Sequence, residues 1–124
     1  MNATVTYVPS RLVFPRSNKQ AEFLGRTPPG SIAACHKAGW IQKECFTQWF
    51  KYSVRFVKPS KTGRVIPTLD GHYSDSTNIE LIDCARKNGV HVVCLTPHGT
   101  HILQPLEFSF MGPLKEYYAQ EIEM

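Results

Sequence analysis

The clearest periodic pattern in the chain covers residues 42–57, where apolar side chains recur every three to four positions. This spacing places them on one stripe of an α-helix, so we predict a helix here with its stripe against the core. The ring of Trp49 is expected in that core rather than on a ligand-binding surface. Pro59 is predicted to end the helix. The stripe comprises Cys45, Phe46, Trp49, Phe50, Ser53, Val54 and Val57.

Two nearly unbroken apolar runs, residues 64–69 and 90–95, flank a second helical pattern. Unbroken apolar runs of this length are typical of parallel strands buried on both faces. The pattern between them predicts a helix that Ser76 or Thr77 caps and that ends at Asn88-Gly89. The segment therefore predicts a strand–helix–strand unit with two parallel strands.

The remaining elements are less regular. Residues 7–14 predict a short strand whose start Pro9 weakens, and residues 15–31 predict a loop rich in glycine and proline. A last helix is predicted to begin near Leu106 or Glu107, with an interruption at Gly112-Pro113. Together these elements predict one α/β domain over residues 1–124.

Length and composition agree with a globular protein. The chain has 124 residues, 42% of them hydrophobic and 19% charged, which makes disorder of the whole chain improbable. No apolar run approaches the roughly 18 residues of a membrane span, and residues 1–10 lack the features of a secretory signal. We therefore expect an intracellular protein without membrane association.

Charge is divided unevenly along the chain. Residues 1–64 hold eleven Lys or Arg and two acidic residues, a net of +9, whereas residues 65–124 hold three and eight, a net of −5. A basic half is typical of a protein that contacts nucleic-acid phosphates. The alternative is a solvated cationic surface without a partner. Lys58 and Lys61, in the turn predicted after the first helix, are candidate nucleic-acid-binding residues.

The four cysteines suggest neither a metal centre nor disulfides. Cys35, Cys45, Cys84 and Cys94 include no Cys-x-x-Cys pair, so a structural zinc site has little support. Without a secretory context, a disulfide framework is not expected. Cys84 and Cys94 lie in apolar patterns and are predicted to be small buried hydrophobic residues.

Two carboxylates occupy positions suited to a metal site. Asp70 follows the apolar run 64–69. Glu107 lies at the start of the last predicted helix, and 36 residues separate it from Asp70. Ligands of parallel sheets bind beyond the carboxyl ends of the strands, and Mg²⁺ prefers oxygen ligands. Two alternatives remain open, because Asp70 can accept hydrogen bonds in a turn and Glu107 can stabilise a helix N-terminus.

Three histidines accompany the carboxylates. His72, His98 and His101 can orient a phosphate or act as acid–base groups, and they are candidate nucleic-acid-binding residues. Packed or turn-bonded histidines are the commoner case, and the His98-to-His101 motif is too short to decide. Asp75 is expected to cap the helix that follows it.

Several motifs along the chain form one recognisable pattern. In the second half they are Leu69-Asp70-Gly71-His72, Ile79-Glu80-Leu81-Ile82, residues 85–90, residues 94–107 and residues 110–115. In the first half they are Leu12-Val13-Phe14-Pro15-Arg16, Pro28-Pro29-Gly30-Ser31 and Gly39-Trp40. Together they resemble the DDE superfamily endonuclease domain of the pogo, Tigger and jerky transposase group, which CENP-B shares. The resemblance spans nearly the whole chain, and its most specific part is residues 98–106 combined with Gly112-Pro113.

This resemblance implies a ribonuclease-H-like fold, a mixed sheet flanked by helices, with acidic residues that bind two Mg²⁺ or Mn²⁺ ions for DNA cleavage. Asp70 corresponds to the family's second acid and Glu107 to its third. The group usually has Asp at the third place, and the extra methylene of Glu moves the ligand oxygen by about 1 Å, enough to matter in catalysis. Asp75 stands where the group often has His.

The family's first catalytic Asp lies on a strand that precedes the segment opening this chain. The resemblance therefore implies that the first two strands are missing and that an apolar sheet edge is exposed, which favours self-association. We expect a nuclear, transposon-derived domain that binds DNA but is inactive as a nuclease. The alternatives are a domesticated DNA-binding or protein-interaction module, and an incomplete version of an active transposase.

Overall fold

A computed structural model describes residues 1–2, 6–18, 21–69, 77–96, 103 and 105–123. In these ranges the chain is a mixed α/β protein with short strands and four α-helices. Its elements are strand β1 (Arg11–Phe14), a 3-10 helix (Ala21–Leu24), strand β2 (Ile32–Cys35), helix α1 (Lys43–Val57), strand β3 (Thr68–Leu69), helix α2 (Ile79–Lys87), strand β4 (Val93–Cys94), helix α3 (Pro105–Ser109) and helix α4 (Met111–Glu123).

Strands β1 and β2 form a parallel pair in which Arg11 lies opposite Ile32 and Phe14 opposite Cys35. The sequence pattern predicts β1, although the strand begins four residues later than expected. Strand β2 was not predicted. Its two alanines, Ala33 and Ala34, are buried.

Helix α1 confirms the helix predicted over residues 42–57. It begins one residue after Gln42 and ends at Val57, one residue before the Lys58-Pro59 step. Residues before proline avoid the α conformation, and Lys58 adopts left-handed angles of φ 51° and ψ 65°. Its backbone N–H donates to the carbonyl of Val54 at 2.9 Å, which closes the last turn of the helix.

Helix α2 is capped by Asn78, one position after the predicted Thr77. The Asn78 side-chain oxygen accepts a hydrogen bond from the Leu81 backbone N–H at 3.1 Å. Its amide nitrogen donates to the Thr47 hydroxyl of α1 at 2.6 Å. Asn78 is 1% exposed, and a buried amide requires such partners. The other proposed caps, Ser76 and Asp75, lie outside the described residues.

The core lies between α1, α2 and Val90, which precedes β4. Phe50 and Val54 of α1 meet Leu81 and Ala85 of α2, and Val90 closes the cluster. Trp49 is half-buried against this cluster, which confirms the prediction that its ring packs in the core. Phe46, Cys84 and Val92 are also partly buried there.

Strands β3 and β4 are parallel, as predicted, with Thr68 opposite Val93. The hydrogen-bond ladder extends beyond the two assigned residues of each strand. The backbone N–H of His91 donates to Val65 at 3.1 Å, and that of Leu95 donates to Leu69 at 2.8 Å. The predicted strand–helix–strand unit is therefore present.

The prediction that both faces of these strands are buried is wrong. Val92 packs on the core cluster, whereas Ile66 is 62% exposed and Val93 is 45% exposed. These exposed side chains share the opposite face, because paired residues of a parallel ladder point the same way. The predicted burial of Cys94 is also wrong, since this residue is exposed. Within the described ranges, β3 and β4 form a two-stranded sheet, and one of its faces is exposed.

The last predicted helix is two helices, α3 and α4, separated at Phe110. The break lies before Gly112-Pro113, and Pro113 falls in the first turn of α4, where a missing N–H costs nothing. No residue of α4 is buried among those described. In the described residues, no helix has the length and apolar character needed to span a membrane.

Candidate metal and nucleic-acid site

The carboxyl ends of β3 and β4 meet at one edge. Leu69 and Leu95 are joined by a backbone hydrogen bond of 2.8 Å, so the chain leaves both strands at the same level. Asp70 is the next residue after Leu69 in the sequence, but it lies outside the described residues. The parallel ladder thus supports the strand-end argument for Asp70 and leaves the position of its carboxylate a prediction.

Glu107 belongs to the first turn of α3, close to the helix start that the sequence predicts. Its side chain is exposed. A carboxylate in a first turn is stabilised by the helix dipole whatever its other role, and an exposed carboxylate is free to bind a hydrated cation. The geometry therefore agrees with both alternatives that the sequence leaves open for Glu107.

The candidate histidines are not placed. His72, His98 and His101 all lie outside the described residues, and so does Asp75. Their proposed roles at the strand ends stay predictions, because the described coordinates test neither their distance from Glu107 nor their contacts.

Lys58 and Lys61 lie on one exposed turn directly after α1. Ser60 shapes this turn, since its side-chain oxygen accepts a hydrogen bond from the Gly63 backbone N–H at 2.8 Å. The two ammonium groups therefore extend from a short, hydrogen-bonded loop. Such a placement suits contact with an extended polyanion.

The described residues contain no group of three or more His, Cys, Asp or Glu side chains that could hold a metal ion. A complete metal site would therefore need residues outside these ranges, Asp70 in particular. The donor chemistry itself fits Mg²⁺ or Mn²⁺, because Asp70 and Glu107 offer the carboxylate oxygens that these ions prefer.

The sequence analysis missed one concave, basic surface. A pocket of about 450 Å³ opens beyond the ends of β1 and β2 and is lined by Arg16, Ser17, Cys35, His36, Lys37 and Ala38. We call it the strand-end pocket. A signal for it existed, because basic residues follow closely after both strands, but β2 itself had not been predicted.

A larger groove of about 550 Å³ runs between α1 and α2. Its charged groups largely satisfy one another, since Lys51 forms an ion pair with Glu80 across it. Arg55, Asp83 and Lys87 also line the groove, which gives it three cations and two anions in all. Its charges therefore nearly cancel, and it favours an anion less than the strand-end pocket does.

Comparison with known proteins decides the family. The family described as DDE superfamily endonuclease matches residues 9–123, which is nearly the whole chain. The chain belongs to the DDE superfamily endonuclease family. DDE endonucleases act on DNA and generally depend on divalent metal ions. The match includes Asp70, Glu107 and the strand-end pocket.

One curated relative is the MFS-type transporter clz9 of Cochliobolus lunatus, which is 29% identical to this chain over 86 residues. The alignment covers 68% of this chain but only 9% of that protein. The chain thus spans about a tenth of the length of this curated relative. No solved structure gives a significant match.

Proposed function

We propose that this chain is a transposase-derived domain of the pogo, Tigger and jerky group that binds DNA in the nucleus. In this proposal Asp70 and Glu107 are two carboxylate ligands of a Mg²⁺ or Mn²⁺ centre. The observation that carries the proposal is the family match over residues 9–123, which includes both positions. The adjoining ends of β3 and β4 support it further.

The residues of this chain would divide the work of a phosphodiester-cleaving centre. Asp70 and Glu107 would hold the metal ions, which, when bound, stabilise the attacking and leaving oxygens of the phosphate. Glu107 contributes an exposed carboxylate from the first turn of α3. Lys58 and Lys61 would position the DNA backbone through contacts with phosphates.

We further propose that these 124 residues alone do not cleave DNA. By the resemblance they contain the second and third acids of the triad, and two carboxylates hold a pair of divalent ions poorly compared with three. The expected behaviour is weak metal binding without turnover, because a misplaced or missing ligand is costly in catalysis.

The test combines metal binding with cleavage. Binding of Mn²⁺ to the full chain, followed by electron paramagnetic resonance, should weaken at least several-fold in Asp70→Ala and in Glu107→Ala. Glu116→Ala is the matched control, because Glu116 is an exposed carboxylate on α4 and should leave binding unchanged.

Nicking of supercoiled plasmid in Mg²⁺ or Mn²⁺ is expected to be absent for the unmodified chain. Cleavage that disappears in both Asp70→Ala and Glu107→Ala would contradict the proposed inactivity while supporting the site. Equal Mn²⁺ binding in all three alanine variants would instead remove Asp70 and Glu107 from the metal centre.

A second candidate function is DNA binding without any metal chemistry. The observation in its favour is the exposure of basic side chains throughout the first half of the chain. Here DNA affinity should fall steeply with salt and should be unchanged in Asp70→Ala. The exposed basic residues are Arg16, Arg26, Lys37, Lys43, Arg55, Lys58, Lys61 and Arg64.

A further inference from the structure

The strand-end pocket lies where a parallel sheet presents its ligands. Strands β1 and β2 run in the same direction, and their last residues, Phe14 and Cys35, are register partners. The chain therefore leaves both strands at one edge, and the next residues on each side line the pocket. Crevices beyond the carboxyl ends of parallel strands are the usual binding places of α/β sheets.

The charges of the pocket have one sign. Arg16 follows β1 and Lys37 follows β2, and both side chains are exposed. No acidic residue is among the described residues that line it. The surroundings thus favour an anion, and arginine in particular can bind two phosphate oxygens at once.

The third polar group of the pocket is the ring of His36, which is half-buried. Its Nδ1 atom accepts a hydrogen bond from the Ala38 backbone N–H at 3.2 Å. A neutral imidazole that accepts at Nδ1 carries its proton at Nε2. The ring therefore has an N–H donor available even without a net charge, and donors are what a phosphate oxygen requires.

The backbone around the pocket is also fixed. The Arg16 N–H donates to the Phe14 carbonyl at 2.8 Å, and the His36 N–H donates to the same carbonyl at 3.0 Å. One carbonyl oxygen thus holds together the two chain segments that carry Arg16 and His36. Because these hydrogen bonds join the two segments, the backbone positions of Arg16 and His36 are fixed relative to each other.

We propose that the strand-end pocket binds a phosphate group of a nucleic-acid backbone through Arg16, His36 and Lys37. This inference rests on the proposed DNA-binding function and names a contact region separate in sequence from Asp70 and Glu107. A volume of about 450 Å³ accommodates a phosphodiester with part of its sugars, since pockets of a few hundred Å³ hold ligands larger than a phosphate.

The experiment measures DNA affinity of the full chain against salt in the presence of EDTA, with a fluorescent double-stranded oligonucleotide. DNA affinity falls with salt, and each lost phosphate contact reduces the magnitude of the slope of log K against log salt by about 1. The double variant Arg16→Gln/Lys37→Gln should therefore reduce that magnitude by about 2. Lys115→Gln, which removes an exposed lysine on α4, is the control and should leave the slope unchanged.

Arg16→Lys separates charge from folding, because it keeps the cation and should retain most of the slope. A slope that Arg16→Gln and Lys37→Gln change no more than Lys115→Gln does would overturn the pocket while leaving DNA binding intact. If the unmodified chain binds no DNA at low salt, both the proposed function and the pocket fail. Binding of inorganic phosphate alone, seen by NMR shifts at Arg16 and His36 without DNA binding, would also overturn the nucleic-acid assignment.

Discussion

The α1–α2 pair and helix α4 both carry apolar side chains at helical spacing, yet their surroundings differ. In the pair, Phe50 is 3% exposed and Leu81 is 1% exposed. On α4, Tyr117 and Tyr118 are each 67% exposed, and no described residue of that helix is buried. An apolar stripe therefore predicts a helix in both places, but it contributes to stability only where another element covers it.

The difference in burial between the two regions can be tested most directly with a leucine-to-alanine substitution in each. Leu81→Ala should lower the free energy of unfolding by about 2–5 kcal/mol, because it leaves a cavity in the core cluster. Leu114→Ala on α4 removes a side chain that is 46% exposed and should cost less than about 1 kcal/mol. Urea unfolding followed by circular dichroism measures both. Equal losses would mean that α4 is packed as firmly as the pair.

The next effect concerns the polar contact inside the pair. Asn78→Ala removes the helix cap and leaves the Thr47 hydroxyl without its donor, so we expect a loss of about 1–3 kcal/mol. The same unfolding experiment applies, with Asn88→Ala as the control for an exposed cap, because the Asn88 amide donates to the Cys84 carbonyl at 2.7 Å from an exposed position at the other end of α2. A loss no larger than that of the control would show that the buried hydrogen bonds contribute little.

The smallest effects come from a pair of glycines and should differ in size. Gly89 has a φ of 65°, with nothing within 4 Å of an added Cβ, so Gly89→Ala should destabilise by about 1 kcal/mol through backbone strain alone. Gly112 lies in the first turn of α4 with equally open surroundings. The helix propensity gained by Gly112→Ala is opposed by Pro113, because a Cβ on the residue before proline disfavours the α conformation, so the net change should stay below about 0.5 kcal/mol. Thermal unfolding distinguishes the two, and equal destabilisation by both substitutions would contradict the backbone conformation assigned to Gly89.

Sequence patterns predicted the elements whose periodicity was long. The regular apolar spacing over residues 42–57 predicted α1 to within one residue, and two apolar runs predicted the parallel β3–β4 pair. Strand β2 was not predicted, because Ala33 and Ala34 lack the β-branched or aromatic side chains that are typical of strands. The cap of α2 was displaced because Ser76, Thr77 and Asn78 are adjacent residues that can all cap a helix.

Burial was harder to predict than secondary structure. The apolar run 64–69 suggests two covered faces, yet Ile66 is exposed, because coverage depends on how many strands and helices are neighbours and not on the run itself. The candidate site follows the same rule. Sequence position predicted that Asp70 follows a strand and that Glu107 begins a helix, whereas the distance between their carboxylates depends on segments outside the described residues.

The hydrogen bond between Asn78 and Thr47 has a consequence for how α1 and α2 are aligned along their length. Apolar side chains tolerate a small slide of one helix past another, because one hydrocarbon contact replaces another at little cost. A buried amide that loses its hydroxyl partner has no such substitute and costs about 1–3 kcal/mol. This buried polar pair therefore favours one axial registry of the two helices, and with it the level at which the chain enters α2.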